Sequence, residues 1–423
     1  MTEDLGNVPI KVFGIGGGGV NAINTMIQSG LTGVEFIAAN TDAQNLMISE
    51  ADIKLNIGVE LSAGEGIGGD PEKGRQATEA HADEIKKTLE GARLVLITTG
   101  EGGGTGSGGA PVVAKISKDM GILTIGVVTT PFSLELEQRM NVARKGVEEL
   151  RKEVDALMVI SNDKLLTLGD DTLDYDSGLK MADNILHTCV EAVTEVIHKH
   201  YTPNIDFRDI DRISRSIGTL LIGIGKASGD DRGAKAVINA LESPLLDDKI
   251  SQATGVVVGI QSSNNFLMTE ITDLVKPIQR ILKKDAWFKF GRAVDDSLGD
   301  EVKVIIIASG FQSDVKPFSA EFNAIESSLN SNNIPATETT NSAMPSNSQS
   351  VVFSQSTPSI PNMTGSINIV GAEHKKLDVE TATEAIEIPN SQSNKTVNQM
   401  SPKTNVNSSS LNIPPFLSDL DKE

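Results

Sequence analysis

The 423-residue chain has a single cysteine, Cys189, so no internal disulfide can form. Its place in an apolar helical pattern reads as core filling, and a lone buried thiol suits a reducing compartment. Basic residues are also scarce: 37 Lys and Arg against 57 Asp and Glu leave a net charge of −20. A surface of that sign repels phosphate backbones and anionic headgroups, which argues against nucleic-acid binding and charge-driven membrane attachment. Long apolar runs are missing as well. Nothing approaches the ~18 uninterrupted apolar residues of a spanning helix, and the acidic start MTEDLGNVPI lacks the basic and then apolar opening of a secretory leader. The expectation is a cytoplasmic chain without direct membrane insertion. Nor is there a G-x-x-x-x-G-K-[ST] segment, which disfavours a P-loop NTPase.

What the chain does have is short continuous β-branched runs alternating with amphipathic stretches: IKVFGI, VEFIAA, LVLITT, ILTIGVV and ALMVI. Continuous runs mark strands buried on both faces, hence a parallel sheet covered by helices. This predicts an α/β domain of Rossmann-like build over 8–175. From Leu179 to His200, apolar residues including Ile185, Leu186, Cys189, Val190, Val193 and Ile197 recur at helical spacing. So wide a stripe predicts a central helix, within 176–203, wedged between two bodies. GTLLIGIG, TGVVVGIQ and EVKVIIIASGF, with RGAKAVINALES and TEITDLVKPIQRILKK between them, predict a smaller α/β domain over 204–312. Composition then shifts. Ser, Asn and Thr make up 29 of the 70 residues from Asn341 to Ser410, too polar to offset the entropy of ordering a chain. A disordered linker is expected over 313–410, closing on an apolar cluster (Leu411, Ile413, Phe416, Leu417) in a docking peptide at 411–423.

Chemistry collects in the glycines. The first strand runs into Gly14-Ile-Gly16-Gly17-Gly18-Gly19-Val20-Asn21, a G-x-G-x-x-G match opening a helix, where backbone N–H groups and the helix dipole suit an anion. Alone this is weak. A second loop, Gly100 to Gly109, holds seven glycines in ten residues, around Gly104-Thr105-Gly106, and disfavours any regular structure energetically. Two such cradles imply an oligophosphate. A third cluster, Gly64 to Pro71 with Gly68 and Gly69, reads equally as a wrap for the terminal phosphate or as an ordinary surface loop. Asn40-Thr-Asp42, Thr129 to Phe132 and Ser161 to Asp163 follow other strands and should line the same crevice. Asn21, Asn162 and Asp183 can hydrogen-bond a base edge, and a carboxylate on the N1–H and N2–H₂ of guanine would reject adenine. Glu135 and Arg139, four apart, share a helix face as a site pair or an exposed ion pair. Asn204-Ile-Asp206-Phe207-Arg208-Asp209 opens another helix. Its aspartates fit simple capping or, alternatively, carboxylates that orient water or bind a cation, on a neighbour's nucleotide if need be.

Taken together, these residues resemble the bacterial FtsZ family, the tubulin-related cell-division GTPases. Gly103 to Gly108 has the GGTGSG form of the signature loop, and KVFGIGGGGVNAINTMI, IAANTDAQNL, GILTIGVVTTPF, SNDKLL, MADNIL, NIDFRDI and SPLLDD follow in family order over 8–312. The resemblance implies a GTP-binding domain, a central helix and an activation domain that assemble head to tail into protofilaments and a division ring for septation. It assigns Gly17, Gly18, Gly19, Val20, Asn21, Gly104, Thr105 and Gly106 to the phosphates, beside which Gly68 and Gly69 of the third cluster stand as candidates from their own pattern. Glu135 and Arg139 go to ribose, and Asn162 and Asp183 to guanine. Asn204, Asp206 and Asp209 would complete the GTPase site of the next subunit, with Mg²⁺ as the default cation. The terminal LNIPPFL resembles the family's tail peptide, which docks onto membrane tethers and division regulators, placing the protein at the division site. Three departures stand out: Glu101 replaces a usual Met, putting a carboxylate near the phosphates; Thr130 replaces a usual base; and Arg208 replaces a small residue between the aspartates.

Two other readings compete. A Rossmann oxidoreductase would use Gly14, Gly16 and Gly19 but leaves the second glycine loop unexplained. A GTP-binding assembly scaffold with little hydrolysis accommodates Glu101 and Arg208.

Overall fold

The computed structural model describes residues 8–166, 174–215, 218–243, 245–246 and 250–311. The expected linker and docking peptide lie outside them.

The chain runs β1 (Ile10–Ile15), α1 (Gly16–Gln28), β2 (Val34–Asn40), α2 (Ala43–Met47), β3 (Ile53–Asn56), α3 (Val59–Ser62), α4 (Pro71–Ala80) and α5 (Ala82–Leu89). It continues through β4 (Leu94–Gly100), α6 (Gly104–Asp119), β5 (Leu123–Thr130), α7 (Glu137–Glu153), β6 (Ala156–Ser161), α8 (Asn162–Leu166) and α9 (Tyr175–His198). The later part comprises α10 (Phe207–Ser214), β7 (Gly218–Ala227), α11 (Arg232–Leu241), β8 (Gly255–Ser262), α12 (Met268–Ile281), β9 (Trp287–Val294) and β10 (Val302–Ser309).

The five continuous apolar runs form β1, β2, β4, β5 and β6 as expected, and the short edge strand β3, which the runs did not announce, joins them. The first six strands are all parallel, in the order β3-β2-β1-β4-β5-β6, with helices on both faces. One face packs on α1 and α9, the other on α5, α6 and α7. Parallel strands have a functional corollary: Ile15, Asn40, Gly100, Thr130 and Ser161 all end on one edge, and Ile10, Leu94, Leu123 and Ala156 begin on the other. A six-residue strand such as β1 separates these edges by ~20 Å.

The later strands do not form a separate parallel sheet. β7 joins β6 in parallel through two pairs, Ala156 with Gly218 and Leu157 with Thr219, so the described strands make one ten-stranded sheet. Beyond the joint the sheet is mixed: β10 lies antiparallel between β7 and β8, and β9 closes the edge parallel to β8.

Helix α9 is 24 residues, ~36 Å long, and is the expected wedge. Its buried residues join one cluster with α1 and β5 on one side and with Leu220, Ile222, Ile305 and Ile307 of β7 and β10 on the other. Cys189 is fully buried in that cluster, where desolvation pushes its thiol up to about 12, the core role its pattern suggested. The helix starts beyond the carboxyl edge and ends at the amino edge, where His198 Nε2 lies 3.1 Å from the Val8 carbonyl oxygen.

Candidate nucleotide site and the distant acidic segment

The glycine loops meet. A Cβ on Gly16 would fall 2.9 Å from the Gly106 nitrogen, and one on Gly18 the same distance from the Gly100 nitrogen, so the two loops are packed backbone to backbone. The third cluster joins them: a Cβ on Gly104 would lie 2.7 Å from the Asp70 nitrogen. Thr41 and Thr105 share a buried hydroxyl–hydroxyl bond of 2.6 Å that ties the end of β2 to the start of α6. Three loops, one crevice.

Several of these glycines are required by packing, whatever their backbone N–H groups meet. Gly14, Gly19, Gly104, Gly106, Gly108 and Gly109 have no room for a side chain because backbone or a neighbouring Thr lies where a Cβ would go. Gly74 of α4 faces Gly104 in the same way, so much of the glycine richness of α6 lets α4 sit close. Gly17, Gly68, Gly69 and Gly103 differ. Nothing lies within 4 Å of their Cβ positions, and Gly68 and Gly69 adopt φ of +64° and +79°. Open space bordered by backbone is what an incoming phosphate requires.

Capping sharpens the distinction. Helices α2 and α4 are capped by Asp42 and Asp70, whose side chains accept from Gln44 and Asn45 and from Glu72 and Lys73. Helices α1 and α6 have no side-chain cap and no acid in the first turn. Their leading N–H groups therefore remain unpaired donors with the positive dipole ends behind them, a matched pair of anion sites.

At the same edge, Asn162 opens α8 after β6, 6 % exposed, with its Oδ1 lacking any hydrogen-bond partner. Asp183 lies in α9, half-buried, and burial raises its carboxyl pKa to about 7. An acceptor without a donor and a carboxylate without compensation fit a base edge that supplies N–H groups. Asn21 is exposed in α1. Glu135 and Arg139 form a 3.0 Å ion pair but do not share a helix. Glu135 ends a 3-10 turn, Leu136 at φ +74° breaks the chain direction, and Arg139 lies in the first turn of α7. Glu135 Oε1 also accepts from the Phe132 N–H. Arg139 packs over Gly102, which places the pair beside the second loop.

Glu101 overturns one expectation. It is 2 % exposed, and its carboxylate points into the interface of α6 and α7 beside Ser107 and Gly146, away from the crevice. The turn at Gly102, with φ +97°, lets the chain reach α6 while the preceding side chain turns inward. The Ser107 hydroxyl completes no well-aligned hydrogen bond with either oxygen. Burial pushes the pKa up to about 7, the proximity of Ser107 opposing the shift and Glu149 adding to it. Thr130 is buried too.

Asn204, Asp206 and Asp209 sit at the other edge. Arg93 donates its N–H to the Pro9 carbonyl and lays its guanidinium 4.4 Å over the Phe207 ring, which puts α10 beside the first residues of β1 and β4. Capping is realised in full: Asp206 Oδ1 accepts from the Arg208 N–H at 2.8 Å, and the Asp206 N–H donates to Asp209 Oδ2 at 2.9 Å. Asp209 further binds Lys289 Nζ at 2.6 Å. Lys289 escaped the sequence reading because WFKFGRAV was not recognised as a strand. Its alternating aromatics were the available signal.

A parallel sheet with a glycine-lined, uncapped crevice at its carboxyl edge defines a nucleotide-binding α/β protein. Comparison with known proteins then gives the family. Residues 9–170 match the Tubulin/FtsZ family GTPase domain, and 218–312 match the FtsZ family C-terminal domain. An FtsZ dimer structure from M. jannaschii is 38 % identical, with a TM-score of 0.68, covering 73 % of this chain and 90 % of that one. CetZ2 from Haloferax volcanii, solved as a GTPgS-bound protofilament, shares the fold at 18 % identity and TM-score 0.65, covering 77 % and 99 %. The chain belongs to the tubulin/FtsZ family, the GTP-dependent polymerising proteins of the cytoskeleton, and carries that family's GTPase domain. These matches carry the family and not a bacterial source.

Proposed function

We propose that the protein hydrolyses GTP at a site completed between two copies stacked head to tail. One copy would supply the glycine crevice, the next Asn204, Asp206 and Asp209. The observation that carries this reading is the separation of the two sets of groups: ~20 Å of parallel strand lies between the loops and the amino edge where α10 begins. A single chain cannot bring both to one phosphate. Stacking the amino edge of one copy on the carboxyl edge of another does.

In this arrangement Gly17 to Asn21, Gly68, Gly69 and Gly104 to Gly106 hold the phosphates through backbone N–H groups. Glu135 and Arg139 flank the ribose, and Asn162 and Asp183 read guanine. The aspartates orient the attacking water. Among the described residues no group of three or more His, Cys, Asp or Glu is placed to hold a metal. Mg²⁺ would be bound chiefly by phosphate oxygens and water. In this reading turnover is activated by self-assembly. Assembly into a division ring, and docking of 411–423 on membrane tethers and division regulators, are the cellular roles we assign.

The test mixes Asp209→Ala, which keeps its own nucleotide crevice, with Asp183→Ala, which keeps its aspartates. Each alone should be nearly inactive, and mixed filaments should regain phosphate release. Mixed filaments that sediment with both variants yet release no phosphate would refute the composite site.

A further inference from the structure

The segment that carries the aspartates also carries Arg208, in the first turn of α10 between Asp206 and Asp209. Its side chain is exposed, and among the described residues it has no hydrogen-bond, ion-pair or ring partner. Every nearby cation is otherwise engaged. Lys289 is bound to Asp209, Lys199 to Asp295 at 2.8 Å and Gln261 at 2.7 Å, and Arg93 covers the Phe207 ring. A hollow of about 320 Å³ opens here, lined among others by Arg93, His198, His200, Asp206 and Arg208.

An unpaired guanidinium is notable on a chain with 57 acids to 37 bases, where acidic partners are plentiful. Its own neighbours do not neutralise it: Asp209 is already matched by Lys289, and Asp206 spends one oxygen on the Arg208 N–H. The position faces outward from the amino edge, the surface that the composite arrangement lays over the next copy's crevice. Guanidinium is planar, permanently charged and forked, suited to two oxygens of one phosphoryl group.

We propose that Arg208 is an arginine finger supplied in trans, contacting the terminal phosphates of the GTP held by the neighbouring copy. The inference rests on the composite-site reading and adds a catalytic group to it. Water's oxygen bonds to the γ-phosphorus as the bond from that phosphorus to the β–γ bridging oxygen breaks. The electron pair leaves with GDP, and the water's proton departs through an Asp206 oxygen to solvent. Charge grows on the bridging and equatorial oxygens during this step, where the Arg208 fork stabilises it. The departure from a small residue thus favours turnover, opposite to the scaffold reading.

Phosphate release per sedimented subunit should be measured for wild type, Arg208→Gln, Arg208→Lys and Asp209→Ala. Filaments should also be formed with a non-hydrolysable GTP analogue to score assembly alone. Arg208→Gln should assemble with the analogue yet turn over roughly 100- to 1,000-fold more slowly, with Arg208→Lys between it and wild type. GTP binding to unassembled subunits should match wild type and certify folding. Adding Asp183→Ala subunits, which carry an intact Arg208, should restore turnover to Arg208→Gln filaments. Unchanged turnover per polymerised subunit would overturn the finger, including the case in which only the assembly threshold rises. If Asp209→Ala also turned over normally, the composite site itself would fail; if Asp209→Ala alone were inactive, only the finger would.

Discussion

Helices α1 and α6 at the carboxyl edge of the parallel sheet and α10 at its amino edge begin in opposite ways. At the carboxyl edge α1 and α6 begin bare, without cap or acid, and glycines leave their N–H groups open to the crevice. At the amino edge α10 begins with a reciprocal carboxylate cap whose second member is also ion-paired to Lys289. An unsatisfied donor is a cost to the free protein, so a fold that caps α2, α4 and α10 with carboxylates but leaves the starts of α1 and α6 bare shows where an anion is to be received. The capped start of α10 holds its carboxylates in fixed orientations. The bare starts are incomplete until filled.

The most drastic way to break this contrast is to cap a bare start. Gly103 is the N-cap of α6, in an extended conformation with φ −92°, and nothing lies within 4 Å of its Cβ position. Gly103→Asp should therefore fold. Its carboxylate would occupy the phosphate's donors and repel the phosphate by ~1 to 4 kcal/mol, the range for like charges about 4 Å apart between water and a protein surface. Isothermal titration should show GTP affinity falling tenfold or more while the melting temperature holds or rises.

Glu101 is the carboxylate of the second loop, and it faces inward. Its pKa of about 7 in the folded state lies above the ordinary 4.5. The folded protein therefore holds this proton over a range in which the unfolded chain has lost it. Stability from this group is complete below about pH 4.5 and declines until about pH 7, by up to about 3 kcal/mol. Glu101→Gln should flatten that slope in urea titrations across this range, and be the more stable protein at pH 7.5. Parallel slopes for the two proteins would show that the carboxylate is not desolvated.

At the start of α10, Asp206→Ala removes a cap and should lower stability by ~1 kcal/mol in the same titrations, the usual cost of losing a helix cap. The smallest effect belongs to Gly17→Ala. The site has room and lies in a helix, so folding should gain up to ~1 kcal/mol while GTP binding weakens. A loss of stability there would mean that the glycine serves packing, as Gly108 does.

What the sequence disclosed divides along physical lines. The strands β1, β2, β4, β5 and β6 were legible because residues such as Val12, Ile97 and Val127 are buried and leave continuous apolar runs, whereas the four-residue edge strand β3, with Lys54 exposed, leaves none. The crevice was legible because glycine is energetically disfavoured in helices, so its density at 100–109 demanded a reason. Which glycines face a ligand was not legible, since Gly17 and Gly108 differ only in what stands opposite them across the fold. The inward turn of Glu101 depends on the backbone at Gly102 and on space beside Gly146, a residue 45 positions later in the chain. Strand β9 was hidden because Trp287, Phe288 and Phe290 are only half-buried and interleaved with Lys289 and Arg292. The joining of the sheets was beyond sequence altogether, since it rests on two residue pairs.

That joint has a mechanical meaning. Neighbouring strands share five or more paired positions on the β1–β4, β4–β5 and β8–β10 ladders, but β6 and β7 share two among the described residues. The molecule is built as two stiff plates with a short weld, and α9 runs along the weld as a strut packed on both. When copies pull on one another end to end, deformation concentrates at the weakest seam, so flexure gathers between the plates and spares the crevice. The strut, gripping both plates with Val190, Val193 and Val196, sets how far they can swing.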